Sequence, residues 1–249
     1  MTIPRIHFPT SLEPGDEIEL GENESHYLRD VLRLKKGERI TLFGNPDFEY
    51  AAEIAAVSKQ LKVKVLEKSA RPARQALRIT LAQSLPKTDK MDLIVQKATE
   101  LGAHRIAPFV SSRSIPVLGP EKAKQRRERW QKIALEASRQ CRRPDVPEVA
   151  PVVTFREMLE SEAGSRMKII FWEEEQGTTI KKVLGEHAAG DSIVIAIGPE
   201  GGFSVEEVEA ARARGFIPTT LGSQVLKTET AGLATLAIIQ YERGIFSSL

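Results

Sequence analysis

Residues 192–204 read Ser-Ile-Val-Ile-Ala-Ile-Gly-Pro-Glu-Gly-Gly-Phe-Ser. The first six, Ser192–Ile197, are a near-continuous apolar run rich in β-branched side chains, the pattern of a strand covered on both faces. Gly198 and Pro199 end it, and Gly201-Gly202 permit positive φ and close approach of backbone to a ligand. Ser204 followed three residues later by Glu207 has capping-box spacing, so a helix begins directly after the glycines. A strand running through a glycine turn into a helix often holds a phosphate on the helix amides. Here Glu200 would repel one, and neither G-x-G-x-x-G nor the P-loop pattern is present. A ligand carrying both a cation and a carboxylate suits the loop better; a turn that serves packing alone is the other reading.

Working outward, residues 221–231 (LGSQVLKTETA) form a second glycine turn. It offers the apolar pair Val225 and Leu226, one cation at Lys227, and Thr228-Glu229-Thr230 as caps for an apolar helix over Ala231–Tyr241. Two such loops at neighbouring strand ends can hold an adenosine between exposed backbone and apolar side chains, while ordinary helix capping accounts for Thr-Glu-Thr by itself. A short strand near Thr219–Leu221 precedes this loop, and Met167–Trp172 is a further strand leading into the acidic loop Glu173–Glu175. Upstream, Leu77–Ala82 is a strand, Ser84–Lys90 a basic loop, and a helix follows with Met91, Ile94, Val95, Ala98 and Leu101 on one face, closed by Gly102. Then come the strand Arg105–Val110, a polar loop with Arg113, and a long helix over about Pro120–Gln140 that stops before Pro144. Strands alternating with helices imply a parallel sheet with helices on both faces, and ligands in such sheets collect at the carboxyl ends of the strands.

The first 70 or so residues follow a different grammar. Asp16–Leu20, Glu38–Phe43, Tyr50–Val57 and Leu61–Glu67 are short strands punctuated by glycines, with a helical insert at His26–Leu32, and together they suggest a small β-barrel. Ser69–Gln75 reads as a linker.

The chain has 249 residues and a net charge of +2, but the charge is unevenly spread. Residues 73–143 carry 16 basic and 6 acidic side chains, whereas residues 144–249 carry 9 and 16. The basic block is a candidate footprint for a polyanion; a solvated helix face is the plainer account. No apolar run of about 18 residues and no signal pattern is present, and one cysteine fits a reducing compartment, so a cytoplasmic protein without membrane partners is expected. Four scattered histidines and Cys141 make no metal site, and Cys141 continues the apolar stripe of Trp130, Ile133, Ala134 and Ala137, which predicts that it is buried.

Five segments in order resemble the ribosomal small-subunit methyltransferase E family of the SPOUT superfamily. They are Arg5 and Phe8 with His26 and Val31-Leu32-Arg33; KTDKMDLIVQKATELG from Lys87 to Gly102; RW..I..EA..QC.R...P from Arg129 to Pro147; IGPEGGFS..E; and LG..VLKTETA. Together they run along nearly the whole chain.

The resemblance implies an α/β fold, with a PUA-like β-barrel at residues 1–72 followed by a SPOUT-type α/β domain at 73–249 that carries a C-terminal deep trefoil knot. It implies S-adenosylmethionine as cofactor with no metal, a homodimer, and methylation of N3 of a uridine (uridine 1498 in the standard bacterial numbering) in 16S rRNA within the small ribosomal subunit. The cofactor positions it implies are Phe171, Trp172 and Glu173; Ile197, Gly198, Pro199, Glu200, Gly201 and Gly202; and Leu221, Gly222, Val225, Leu226, Thr228, Thr230 and Ala231. Lys227 and Glu229 are the candidate catalytic residues, and Lys227 stands where the family usually has arginine, which removes the planar fork. Arg5, Arg33, Lys87, Lys90, Arg113, Arg142 and Arg143 are the candidate RNA contacts. A 2′-O-ribose methyltransferase of the same superfamily and a non-catalytic ribosome-assembly factor are the competing readings.

Overall fold

The computed structural model describes residues 3–45, 47–70, 77–87, 90–114, 119–186 and 191–243, in two compact units. Residues 1–74 with 138–145 make the first, and residues 75–137 with 146–249 the second.

In the first unit, strands β1 (Arg5–His7), β2 (Glu17–Glu19), β3 (Arg39–Phe43), β4 (Phe48–Ala56) and β5 (Lys62–Ala70) form one sheet in the order β1-β3-β4-β5-β2. A helix α1 (Glu22–His26) and a π-helical turn, Tyr27–Val31, interrupt them. Alternate residues point inward as the period of two requires, so Ile40, Leu42, Tyr50, Ala52, Ile54, Val63 and Val65 share one core with Ile6 and Leu28. The ladder is open: among the described residues β1 and β2 are edge strands and do not pair with each other, so the expected barrel is a five-stranded sheet without a closing seam. Strand β5 continues through Ser69 and Ala70, which shortens the expected linker, and its remainder, 71–75, lies outside the described residues.

The second unit begins with β6 (Arg78–Ser84), α2 (Lys90–Glu100), β7 (Arg105–Val110), α3 (Pro120–Gln140), β8 (Glu148–Val149), β9 (Val153–Thr154) and α4 (Phe155–Ser161). It continues through β10 (Met167–Phe171), α5 (Ile180–Glu186), β11 (Ser192–Ile197), α6 (Val205–Arg212), β12 (Ile217–Thr219) and α7 (Thr228–Glu242). The sheet order is β12-β10-β11-β6-β7-β8, with β9 also on β7 and every pairing parallel. The run at β11 is buried on both faces. Ile193, Ile195 and Ile197 join a core with residues of α2, α5 and α7, while Val194 and Ala196 join a second core with residues of α4 and α6.

This layering creates a crevice. Neighbouring strands β10 and β11 leave toward opposite faces, β10 to α5 and β11 to α6, so the loops after them diverge. From β12 at the edge the chain then crosses back to α7, which packs on α2, β11 and β6.

Three expectations are corrected. Cys141 is exposed, not buried, because α3 ends at Gln140 and the cysteine sits in the following turn, where the helical phase no longer applies. The last strand is Ile217–Thr219, two residues earlier than expected, since its register is set by pairing Ile217 and Thr219 with Ile169 and Phe171. Helix α7 starts at Thr228, so Thr228-Glu229-Thr230 form its first turn instead of capping it; Lys227 is the N-cap and makes no side-chain cap bond.

Candidate active site

A cavity of about 800 Å³ opens at the carboxyl ends of β10, β11 and β12, within the range of small-molecule sites. Its walls are three loops, each built differently.

The loop after β11 is the most supported. The Gly202 amide donates to the Pro199 carbonyl at 3.0 Å, closing a tight turn. Gly202 has φ +66°, and a Cβ there would stand 2.9 Å from the Glu173 carboxylate. At Gly198 a Cβ would meet the Phe203 ring at 3.2 Å, so a side chain at either glycine would crowd the turn. Phe203 is 2% exposed and stacks on Phe109 with ring centroids 6.2 Å apart. The capping box is present as its spacing predicts: Ser204 Oγ accepts from the Glu207 amide, and Glu207 accepts from the Ser204 amide. Glu207 also accepts from the Ser112 amide at 2.8 Å, and Arg113 donates to the Gly201 carbonyl at 2.8 Å. The loop after β7 therefore braces the glycine turn.

Glu200 answers the question its position raises. Its carboxylate accepts from the Lys87 amide at 3.2 Å and pairs with Lys90 Nζ at 3.5 Å. Lys90 also pairs with Glu229 at 3.1 Å, so one ammonium joins the loop after β11 to the first turn of α7. The hydrogen bond to Glu229 is the main cause raising the Lys90 pKa above its ordinary value. Burial pushes Glu229 upward, but its own backbone amide, Lys90 and the charge of Lys227 outweigh burial and hold it below the usual carboxylate range. Glu229 is thus an ionised partner of Lys90, and it does not line the cavity.

The loop after β12 is anchored mainly at its ends. The Thr220 amide donates to the Thr178 carbonyl at 2.8 Å, and Thr228 Oγ1 donates to the Gly198 carbonyl at 2.6 Å while accepting from Gln83 Nε2 at 2.9 Å. Between these anchors Val225 is 78% exposed, beside Leu221, Leu226 and Lys227 in the cavity wall. In the loop after β10, Glu175 accepts from the Gly177 and Thr178 amides, both at 2.9 Å, and the Gly177 amide holds its pKa below the usual value.

Of the positions expected to bind cofactor, Phe171, Trp172, Glu173, Ile197, Gly198, Pro199, Glu200 and Gly202 line the cavity, as do Leu221, Gly222, Val225, Leu226, Thr228 and Ala231. Gly201 and Thr230 do not; Gly201 turns its carbonyl to Arg113, and Thr230 is exposed in the first turn of α7. Sequence reasoning missed Phe203, Thr179 and Gln176 as wall residues and took Lys90 for an RNA contact, though it faces this site. No local signal marks Lys90, because its partners lie more than a hundred residues away.

The basic candidates separate by what holds them. In the first unit Arg5 is only 12% exposed, paired with Glu49 and stacked over Phe43, and buried Arg143 pairs with Asp145 at 3.1 Å. Arg33 and Arg142 are exposed, with φ of 57° and 58°, a left-handed conformation uncommon outside glycine. In the second unit Lys87 and Arg113 are exposed at the cavity's side of the sheet.

The RNA methyltransferase domain family matches residues 73–240, and the RNA methyltransferase PUA domain family matches residues 20–66. The chain is 34% identical to the Bacillus subtilis ribosomal RNA small subunit methyltransferase E, over 93% of this chain and 92% of that one. A Neisseria gonorrhoeae ribosomal RNA small subunit methyltransferase E, solved with S-adenosylmethionine, superposes with a TM-score of 0.86 at 33% identity, covering 96% and 98% of the two chains. A Legionella pneumophila methyltransferase, also solved with that cofactor, superposes with a TM-score of 0.87 at 31% identity over 97% and 98%.

Proposed function

The chain belongs to the ribosomal RNA small subunit methyltransferase E family, and on that premise we propose that it methylates N3 of a uridine in 16S rRNA within the small ribosomal subunit. S-adenosylmethionine is the cofactor of this family, and ribosomal RNA methylation its activity. The observation that carries the reading is the cavity at the diverging ends of β10 and β11, walled by two glycine turns and the loop Phe171–Glu173.

The residues present fit that cofactor. Gly198 and Gly202 keep the turn tight, since a Cβ would meet Phe203 or Glu173, and both line the cavity with backbone alone. Leu221, Val225 and Leu226 offer apolar walls for adenine, and Glu173 supplies negative charge for a cationic ligand. When bound, S-adenosylmethionine supplies an electrophilic methyl group on a sulfonium.

The chain's own task is to hold the uracil ring, let the N3 proton depart and stabilise charge on O2 and O4. Lys227 is the residue for the last task, since it ends the loop after β12, lines the cavity and is exposed to an incoming base. Glu229 serves by fixing Lys90 and the first turn of α7, not as proton acceptor. Arg33, Arg142, Lys87 and Arg113 are the cations exposed to meet phosphates, and the target base leaves its stack to present its Watson–Crick edge.

A deep trefoil knot also belongs to this reading. It is supported by the order β12-β10-β11-β6 and by the return of the chain from edge strand β12 to α7 on β6, β11 and α2. Assembly as a homodimer in the cytoplasm is the remaining part of the proposal. Among the described residues no helix is long and apolar enough to cross a membrane. Mass spectrometry of rRNA nucleosides from a strain lacking the gene, with and without its restoration, tests the reaction. Loss and recovery of 3-methyluridine is expected; loss of a 2′-O-methylnucleoside instead would overturn the site of transfer.

A further inference from the structure

We propose that Glu173 makes this cavity discriminate the methyl donor from its demethylated product. The inference rests on the reading that S-adenosylmethionine occupies the cavity.

Three carboxylates line the cavity: Glu173, Glu175 and Glu200. Two are already satisfied by the protein, Glu200 by the Lys87 amide and the Lys90 ammonium, and Glu175 by the Gly177 and Thr178 amides. Among the described residues Glu173 makes no hydrogen bond or ion pair. Its carboxylate lies over the bare α-carbon of Gly202, where a Cβ would stand 2.9 Å from Oε1. An uncompensated anion thus sits at the junction of the loops after β10 and β11, on the rim of the cavity.

The two ligands differ by one charge. The donor carries a sulfonium, an ammonium and a carboxylate and is net +1, whereas the product has a neutral thioether in place of the sulfonium and is net zero. Groups that contact only the shared ammonium, carboxylate, ribose or adenine hold both equally. An anion without a protein counter-charge favours the sulfonium form, and because it is solvent-exposed its effect is modest and weakened by salt. The product leaves without an opposing charge, which clears the site for the next donor molecule.

Calorimetric titration of the full chain with S-adenosylmethionine, S-adenosylhomocysteine and sinefungin tests this without any turnover. Sinefungin carries an amine in place of the methylated sulfur and reports the charge alone. The ratio of the homocysteine to the methionine dissociation constant is expected to fall roughly two- to fivefold in Glu173→Gln. Sinefungin is expected to follow the methionine form, and the wild-type ratio to shrink as salt rises while the variant's does not. Equal weakening of all three ligands by Glu173→Gln would overturn the proposal, because the carboxylate would then be acting on the shared ammonium. An unchanged ratio would overturn it too. Wild-type protein that binds none of the three would overturn the cofactor reading and this inference together.

Discussion

The two glycine turns of the second unit look alike in sequence and are built on opposite principles. The turn after β11 is held from inside and from behind. Phe203 is in the core, the Ser204–Glu207 box caps α6, Arg113 takes the Gly201 carbonyl, and Lys90 takes Glu200. The turn after β12 is fastened by Thr220 and Thr228 at its ends and leaves Val225 in solvent between them. One loop is formed before any ligand arrives; the other keeps its apolar contacts for the ligand. A binding site built this way gains rigidity from the first wall and adaptable contact from the second.

The most damaging way to test that contrast is at the root of the first turn. Phe203→Ala empties a core position against Phe109 and Phe155 and is expected to cost about 3–5 kcal/mol of unfolding free energy, read by urea denaturation. A loss below about 1 kcal/mol would mean that the first turn is no better supported than the second. Next is the joint between the two. Thr228→Val keeps the shape but strips a donor from the partly buried Gly198 carbonyl and an acceptor from the buried Gln83 amide, for about 2–3 kcal/mol. Because the bond to the partly buried Gly198 carbonyl ties the second turn to the first, the variant is expected to lose cofactor affinity as well as stability. Ser204→Ala removes one capping bond and is expected to cost about 1 kcal/mol, with cofactor affinity nearly unchanged.

What was legible in the sequence follows the range of the interactions. Local devices could be read: the capping box at Ser204 and Glu207, the doubly buried run at β11, and the 3.6-residue stripe of α2. Features set by distant partners could not. Thr228 reads as a helix cap, yet its hydroxyl is taken by Gly198, thirty residues away, and the helix starts on it instead. Glu200 reads as a charge awaiting a ligand, yet its partners are Lys87 in the loop after β6 and Lys90 at the start of α2. Cys141 fails for a different reason: its stripe was extended one residue past the last helical turn. Short elements such as β1, β8 and β9 leave no periodicity to read, because two or three residues only become a strand by pairing.

The smallest expected change in stability is the most telling for the comparison. Val225 is 78% exposed, so Val225→Ser deletes no packing and is expected to leave unfolding free energy within about 0.5 kcal/mol of wild type. The same change removes an apolar wall of the cavity. If the second turn keeps that side chain for the ligand, S-adenosylmethionine binding weakens by about 1 kcal/mol, roughly fivefold, as the valine loses the burial it gains only in the complex. Calorimetry on the folded variant separates the two effects. A variant that is destabilised but binds normally would show that Val225 packs within the protein, and the two turns would then be built alike. A variant with neither change would remove Val225 from the binding wall and leave the second turn's contribution to Leu221 and Leu226.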